Sequence, residues 1–63
     1  MKGVFEYEGG DMEYIVEWDM DDGVMFCDVF IVANGKVNVN YNLYPAITER
    51  IYSTAHDYYW ERQ

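Results

Sequence analysis

The sequence predicts an α+β fold, a four-stranded antiparallel β-meander with one C-terminal α-helix packed on one face (ββββα). Three observations carry this. Apolar and polar residues alternate with a period of two through the first two-thirds of the chain. Turn signals at Gly9-Gly10, Asp21-Asp22-Gly23 and Asn34-Gly35 divide that region. After Pro45 the apolar period becomes helical. The 63 residues are read as a single domain, with strands at about 2–8, 12–20, 24–33 and 36–42 and a helix at about 45–61.

The first strand sets Gly3, Phe5 and Tyr7 on one side and Val4, Glu6 and Glu8 on the other. Gly9-Gly10 then reads as a two-residue hairpin turn. In the second strand Met12, Tyr14, Val16, Trp18 and Met20 share one face, and Glu13, Ile15, Glu17 and Asp19 share the other. The third, Met25–Ala33, is apolar almost throughout, as a strand covered on both sides should be. Asn34-Gly35 is the strongest hairpin signal in the chain, and the fourth strand sets Val37, Val39 and Tyr41 against Lys36, Asn38, Asn40 and Asn42. Pro45 suits a first helical turn, with Asn42 or Tyr44 before it as the cap. Ile47, Ile51, Ala55, Tyr58 and Tyr59 then recur at helical spacing, with Glu49, Ser53, His56 and Trp60 on a more polar side.

Register follows from the turns. A two-residue turn at Gly9-Gly10 sets Glu8 opposite Asp11, Phe5 opposite Tyr14, Glu6 opposite Glu13 and Lys2 opposite Glu17. A two-residue turn at Asn34-Gly35 sets Val32 opposite Val37, Phe30 opposite Val39 and Asp28 opposite Tyr41. For the middle turn a three-residue loop at 21–23 is preferred. It places Trp18 opposite Phe26 and Tyr14 opposite Phe30, uniting the four strands on one apolar face. It also puts Asp28 among aromatics, where an unpaired carboxylate is costly. A two-residue Asp22-Gly23 turn would instead put Trp18 beside Cys27.

Composition bounds the function. A chain this small buries only about 60% of its unfolded surface, yet 51% of its residues are hydrophobic and 19% aromatic, so it folds rather than staying disordered. That aromatic content exceeds what a small core readily hides and raises the prospect of a homodimer or a bound partner. Net charge is −8, and residues 1–28 supply all of it: nine acids against Lys2 alone. Such a surface repels nucleic acid and anionic membrane and steers toward a basic protein surface. Cys27 is the only cysteine, so no intrachain disulfide can form and a reducing compartment fits. Glu6 and Glu8 interrupt any leader-like apolar run, and no segment reaches the ~18 apolar residues of a membrane span. The expected location is the cytoplasm.

Sites for chemistry are thin. Glu17, Asp19, Asp21 and Asp28 fall at the first, third, fifth and twelfth places of a calcium loop. The glycine, however, stands at the seventh place rather than the sixth, and Trp18 and Met20 alternate with the acids as in a strand. Cys27 and His56 could pair as nucleophile and base, but a lone Cys in an apolar strand reads as core and His56 as surface. One Cys and one His cannot make a structural zinc site. Glu8 and Asp11 flank Gly9-Gly10 and would repel a phosphate. No catalytic residue, cofactor or metal is therefore assigned.

The acidic hairpin remains. Glu6, Glu8, Glu13, Glu17 and Asp19 point away from the aromatic side, with Asp21 and Asp22 at the tip. Carboxylates at i and i+2 of a strand stand ~6.5–7 Å apart, near the spacing of successive phosphates. Alternating acids are also the ordinary outward side of an amphipathic strand and guard an edge against aggregation. In length, acidity and aromatic content the chain resembles the small acidic proteins by which bacteriophages inhibit host enzymes and defence systems. The resemblance implies a stoichiometric protein-binding inhibitor acting in a host cytoplasm. The leading expectation is thus a non-catalytic interaction module whose acidic N-terminal hairpin binds a basic surface, of the kind that binds nucleic acid, with Trp60 adding contact area. The alternatives are a homo-oligomer, or subunit of an assembly, pairing through Cys27, Val29 and Ile31 or through an edge strand, and a small-ligand binder at a subunit interface.

Overall fold

The computed structural model describes residues 1–32 and 35–61. Strands β1 (Lys2–Gly9), β2 (Met12–Asp21), β3 (Val24–Val32) and β4 (Lys36–Asn38) form one antiparallel sheet in chain order, followed by helix α1 (Pro45–Glu61). The predicted α+β ββββα architecture is the one observed. The registers inside it differ from the sequence reading at all three turns, and the differences decide what the sheet displays.

At the first hairpin Gly9 pairs with Met12, so the turn is Gly10-Asp11. Only the first turn residue has a positive φ, Gly10 at 66°, the requirement of a type II′ turn. Phe5 therefore faces Val16 rather than Tyr14, Glu8 faces Glu13, and Glu6 faces Ile15. Lys2 faces Asp19 rather than Glu17. The slip is two residues, so each side chain keeps its predicted face.

The second turn overturns the preferred three-residue loop. Asp21 pairs with Val24 across a two-residue turn in which Asp22 (φ 50°) and Gly23 (φ 77°) both have positive φ. This is the type I′ geometry that Asp-Gly favours and that matches the twist of the flanking strands. Trp18 consequently faces Cys27, not Phe26, and β3 presents Met25, Cys27 and Val29 to the helix. Phe26, Asp28 and Phe30 turn to the other face.

A third shift compensates for the second. Val32 pairs with Lys36 and Ile31 with Val37, one residue away from a two-residue turn at Asn34-Gly35. Asn34 and Ala33 lie outside the described residues. Because both registers move by one, Val37 remains on the helix side of the sheet, and Val39 beyond it packs against the core. Strand β4 stops at Asn38 rather than Asn42, and Asn40–Asn42 form a short 3₁₀ turn. Tyr41 is fully exposed and does not face Asp28.

One asparagine explains the early end. Asn40 Oδ1 accepts the Val29 N–H at 2.7 Å, and its Nδ2 donates to the Cys27 carbonyl at 3.5 Å. The side-chain amide thus takes over the edge of β3 where a fourth strand would have continued.

Helix α1 begins after Tyr44, whose carbonyl accepts the N–H groups of Ile47 and Thr48. Ile51 and Ala55 are fully buried against Val16, Trp18 and Val29, and Ile47, Tyr52 and Tyr59 flank them. Tyr59 meets Trp18 edge-on at 6.4 Å between ring centroids, and Tyr58 stacks on Phe5 at 5.1 Å. The core therefore lies wholly on one side of the sheet. No helix among the described residues is long and apolar enough to cross a membrane.

Candidate functional site: the open face of the sheet

With a single helix, the second face of the sheet is left uncovered, and the strand registers dictate what it carries. Reading across β1, β2 and β3, the rungs are Lys2–Asp19–Phe26, then Val4–Glu17–Asp28, then Glu6–Ile15–Phe30. Asp21 and Val24 close one end; Glu8 and Glu13 stand opposite each other near the other. Seven carboxylates (Glu6, Glu8, Glu13, Glu17, Asp19, Asp21, Asp28) thus share the face with Lys2 and Lys36, a net −5 of the chain's −8. Among them lie exposed apolar groups, with Val4 62%, Phe26 56% and Val32 71% accessible.

Like charges facing each other destabilise a sheet, and Glu17 opposite Asp28 is such a pair. Each receives its own donor from the chain beyond β3. Lys36 Nζ lies 4.5 Å from the Phe30 ring centroid and ends in an ion pair with Glu17 Oε2. Asn40 Nδ2 donates to Asp28 Oδ1 at 3.1 Å. Asp28, which the sequence reading placed among aromatics, is instead exposed and hydrogen-bonded. Between β1 and β3 a shallow groove of about 360 Å³ is lined by Lys2, Val4, Glu17, Asp19, Phe26 and Asp28 on this face. A wider one of about 740 Å³ runs past Glu6, Glu8, Glu13 and Ile15 at the hairpin end.

The sequence-selected residues divide accordingly. Glu6, Glu8, Glu13, Glu17 and Asp19 come together on the open face, Asp21 closes its end, and Asp22 sits in the turn. Trp60 does not join them. It is 67% exposed on the helix, packed edge-on to Tyr59, and α1 covers the opposite side of the sheet. The aromatic partners of the acids are Phe26 and Phe30, which the three-residue loop had turned inward. The Asp22-Gly23 dipeptide was the signal that could have found them.

The other candidates are placed as follows. Cys27 and Val29 are buried beneath the helix with Ile31 packed beside them, so they form core rather than an oligomer interface. Burial, with the charge of Asp28 adding to it, pushes the Cys27 thiol up to about 11, leaving it protonated and poorly nucleophilic near neutrality. His56 is exposed on α1. Glu17, Asp19 and Asp21 lie along a strand and Asp28 on its neighbour, with no helix on either side of the turn. Among the described residues no three His, Cys, Asp or Glu side chains converge as metal ligands. No family model, curated protein or solved structure matches the chain.

Proposed function

We propose that the chain is a non-catalytic docking module whose open sheet face receives a basic, partly apolar surface of a partner protein. One observation carries the reading. The helix covers only one face of the sheet, and the uncovered face holds Phe26, Val4, Val24 and Val32 exposed among seven carboxylates. Apolar groups supply contact area on docking, while the carboxylates select a cationic partner and speed the encounter. The acidic N-terminal hairpin is half of this surface, and β3 is the other half.

Inhibition of a nucleic-acid-binding protein is the narrower form of the proposal. Glu13, Glu17 and Asp19 along β2, beside Glu6 and Glu8, support it as a short track of negative charge. Ile15 interrupts that track and Lys36 engages Glu17. A mixed charged and apolar docking face therefore accounts for more of the surface than phosphate imitation does.

The test uses a synthetic peptide alternating arginine and tryptophan, with a glutamate-for-arginine control, titrated by calorimetry and followed by amide NMR shifts. The arginine peptide should bind, should shift β1–β3 amides, and should weaken steeply with added salt. Phe26→Ser, and Glu13→Gln combined with Asp19→Asn, should each weaken it about tenfold or more, or ~1.4 kcal/mol. Trp60→Ala should leave it unchanged. Salt-insensitive binding, or a loss at Trp60 equal to that at Phe26, would remove the open face from the reading.

A further inference from the structure

The two edges of the sheet are unlike. On the β4 side the strand is three residues long, the Val39 N–H takes the Val29 carbonyl, and the Asn40 side chain takes the Val29 N–H and the Cys27 carbonyl. On the other side β1 runs eight residues in unbroken register, without proline or bulge, and no other segment pairs with its outer edge among the described residues. Long flat edges are templates for another strand, and proteins usually blunt them.

The hydrogen-bond phase of β1 states what its edge offers. Met1 exchanges both backbone hydrogen bonds with Met20, its N–H group donating at 3.2 Å and its carbonyl accepting at 2.8 Å. In an antiparallel ladder such pairs alternate with pairs whose N–H and C=O groups point the other way. Gly3, Phe5, Tyr7 and Gly9 therefore bond to β2, whereas Lys2, Val4, Glu6 and Glu8 direct their backbone groups outward. Any strand added antiparallel must match these four positions with outward-pointing positions of its own.

We propose that the occupant is the same edge of a second copy, with β1 pairing antiparallel to β1 about a two-fold axis between the two Phe5 residues. In this register Lys2 faces Glu8 of the second copy and Val4 faces its Glu6, with each relation repeated by symmetry. All four outward positions of each strand then exchange paired hydrogen bonds, and both lysines meet a carboxylate. The neighbouring registers fail. Sliding two residues one way sets Glu6 against Glu6 and leaves Lys2 unpaired; sliding two the other way drops Glu8 from the ladder. A one-residue slide opposes outward groups to inward ones and forms no bonds. On the helix side Phe5 meets Phe5 at the axis and Gly3 meets Tyr7. Tyr58, stacked on Phe5 and 40% exposed, gains a neighbour there. The two open faces lie side by side, and the pairing takes its Lys2–Glu8 and Val4–Glu6 contacts from their β1 rims.

Sedimentation equilibrium of the full chain over micromolar to millimolar concentration tests this. The mass should rise from 7.5 kDa toward twice that value. Val4→Pro deletes an outward N–H, which an edge strand tolerates. It should stay at one chain throughout, with its circular dichroism unchanged. A charge exchange tests the register without burdening the backbone. Lys2→Glu sets acid against acid and Glu8→Lys sets lysine against lysine, so each variant alone should be a monomer. Their equimolar mixture restores both opposite-charge contacts and should yield a mixed dimer by native mass spectrometry. A single-chain mass at every concentration, an assembly larger than two, a folded Val4→Pro dimer, or self-pairing by either charge variant as strong as their mixed pairing would overturn the proposal.

Discussion

Gly3 shows how one missing side chain organises the core. It sits opposite Trp18, and a Cβ built on it would lie 2.9 Å from the indole ring. Trp18 is 2% exposed because β1 offers it a floor of bare backbone at that point. Gly3→Ala should therefore destabilise the protein by about 1–3 kcal/mol, the usual cost of overpacking a filled core. Urea unfolding followed by tryptophan fluorescence reads this as a lower midpoint; an unchanged or higher midpoint would mean the indole moves freely. Asn40 is the opposite case, one side chain standing in for a strand's worth of backbone. Its amide satisfies Val29, Cys27 and Asp28 at once. The sequence marked it only as one of several asparagines in a strand, because a side chain's role as backbone surrogate depends on where the neighbouring strand happens to end.

At the scale of elements, the hairpins carry the architecture and Asp22-Gly23 sets which half of β3 is seen. Gly23 holds φ 77°, where an L-residue clashes with its own carbonyl. Gly23→Ala should cost about 1–2 kcal/mol, whereas Asp22→Asn should be close to neutral, since asparagine accepts the same conformation. Chemical denaturation of both variants checks the contrast, and equal losses would mean the turn is not type I′. This turn also explains what was legible beforehand. Strands, helix and acid-bearing face were readable because β1, β2 and α1 alternate clearly between apolar and polar. Strand β3 is apolar on both sides except at Asp28, so that one residue is all the orientation its pattern contains, and pairing Phe26 and Phe30 with Trp18 and Tyr14 overrides it. The acidic half of the candidate surface was visible for that reason, and its Phe26 and Phe30 half was not.

For the whole molecule, small size leaves a narrow margin between the native state and its competitors. Four strands and one helix bury Ile51, Ala55, Val16 and Trp18 almost completely, and the second sheet face is left to solvent. Docking and self-pairing therefore meet at β1, whose Lys2, Val4, Glu6 and Glu8 side chains belong to the open face and whose outward backbone forms the edge. The carboxylates of β2 and β3 act in docking alone, whereas the side chains of β1 act in both.

Asp28 carries a consequence at this scale. A strand with two apolar sides can be inserted either way up, and the inverted arrangement would send Phe26 and Phe30 under the helix and Cys27 and Val29 to solvent. It would also carry Asp28 into hydrocarbon, so that one carboxylate makes the inverted isomer an unaffordable rival and keeps the folding landscape single-welled. Asp28→Val should therefore admit a second conformer, seen as doubled amide resonances from β3 and β4. Asp28→Asn, still polar, should give one set of peaks. A single set from the valine variant would assign orientation to the Asp22-Gly23 turn alone.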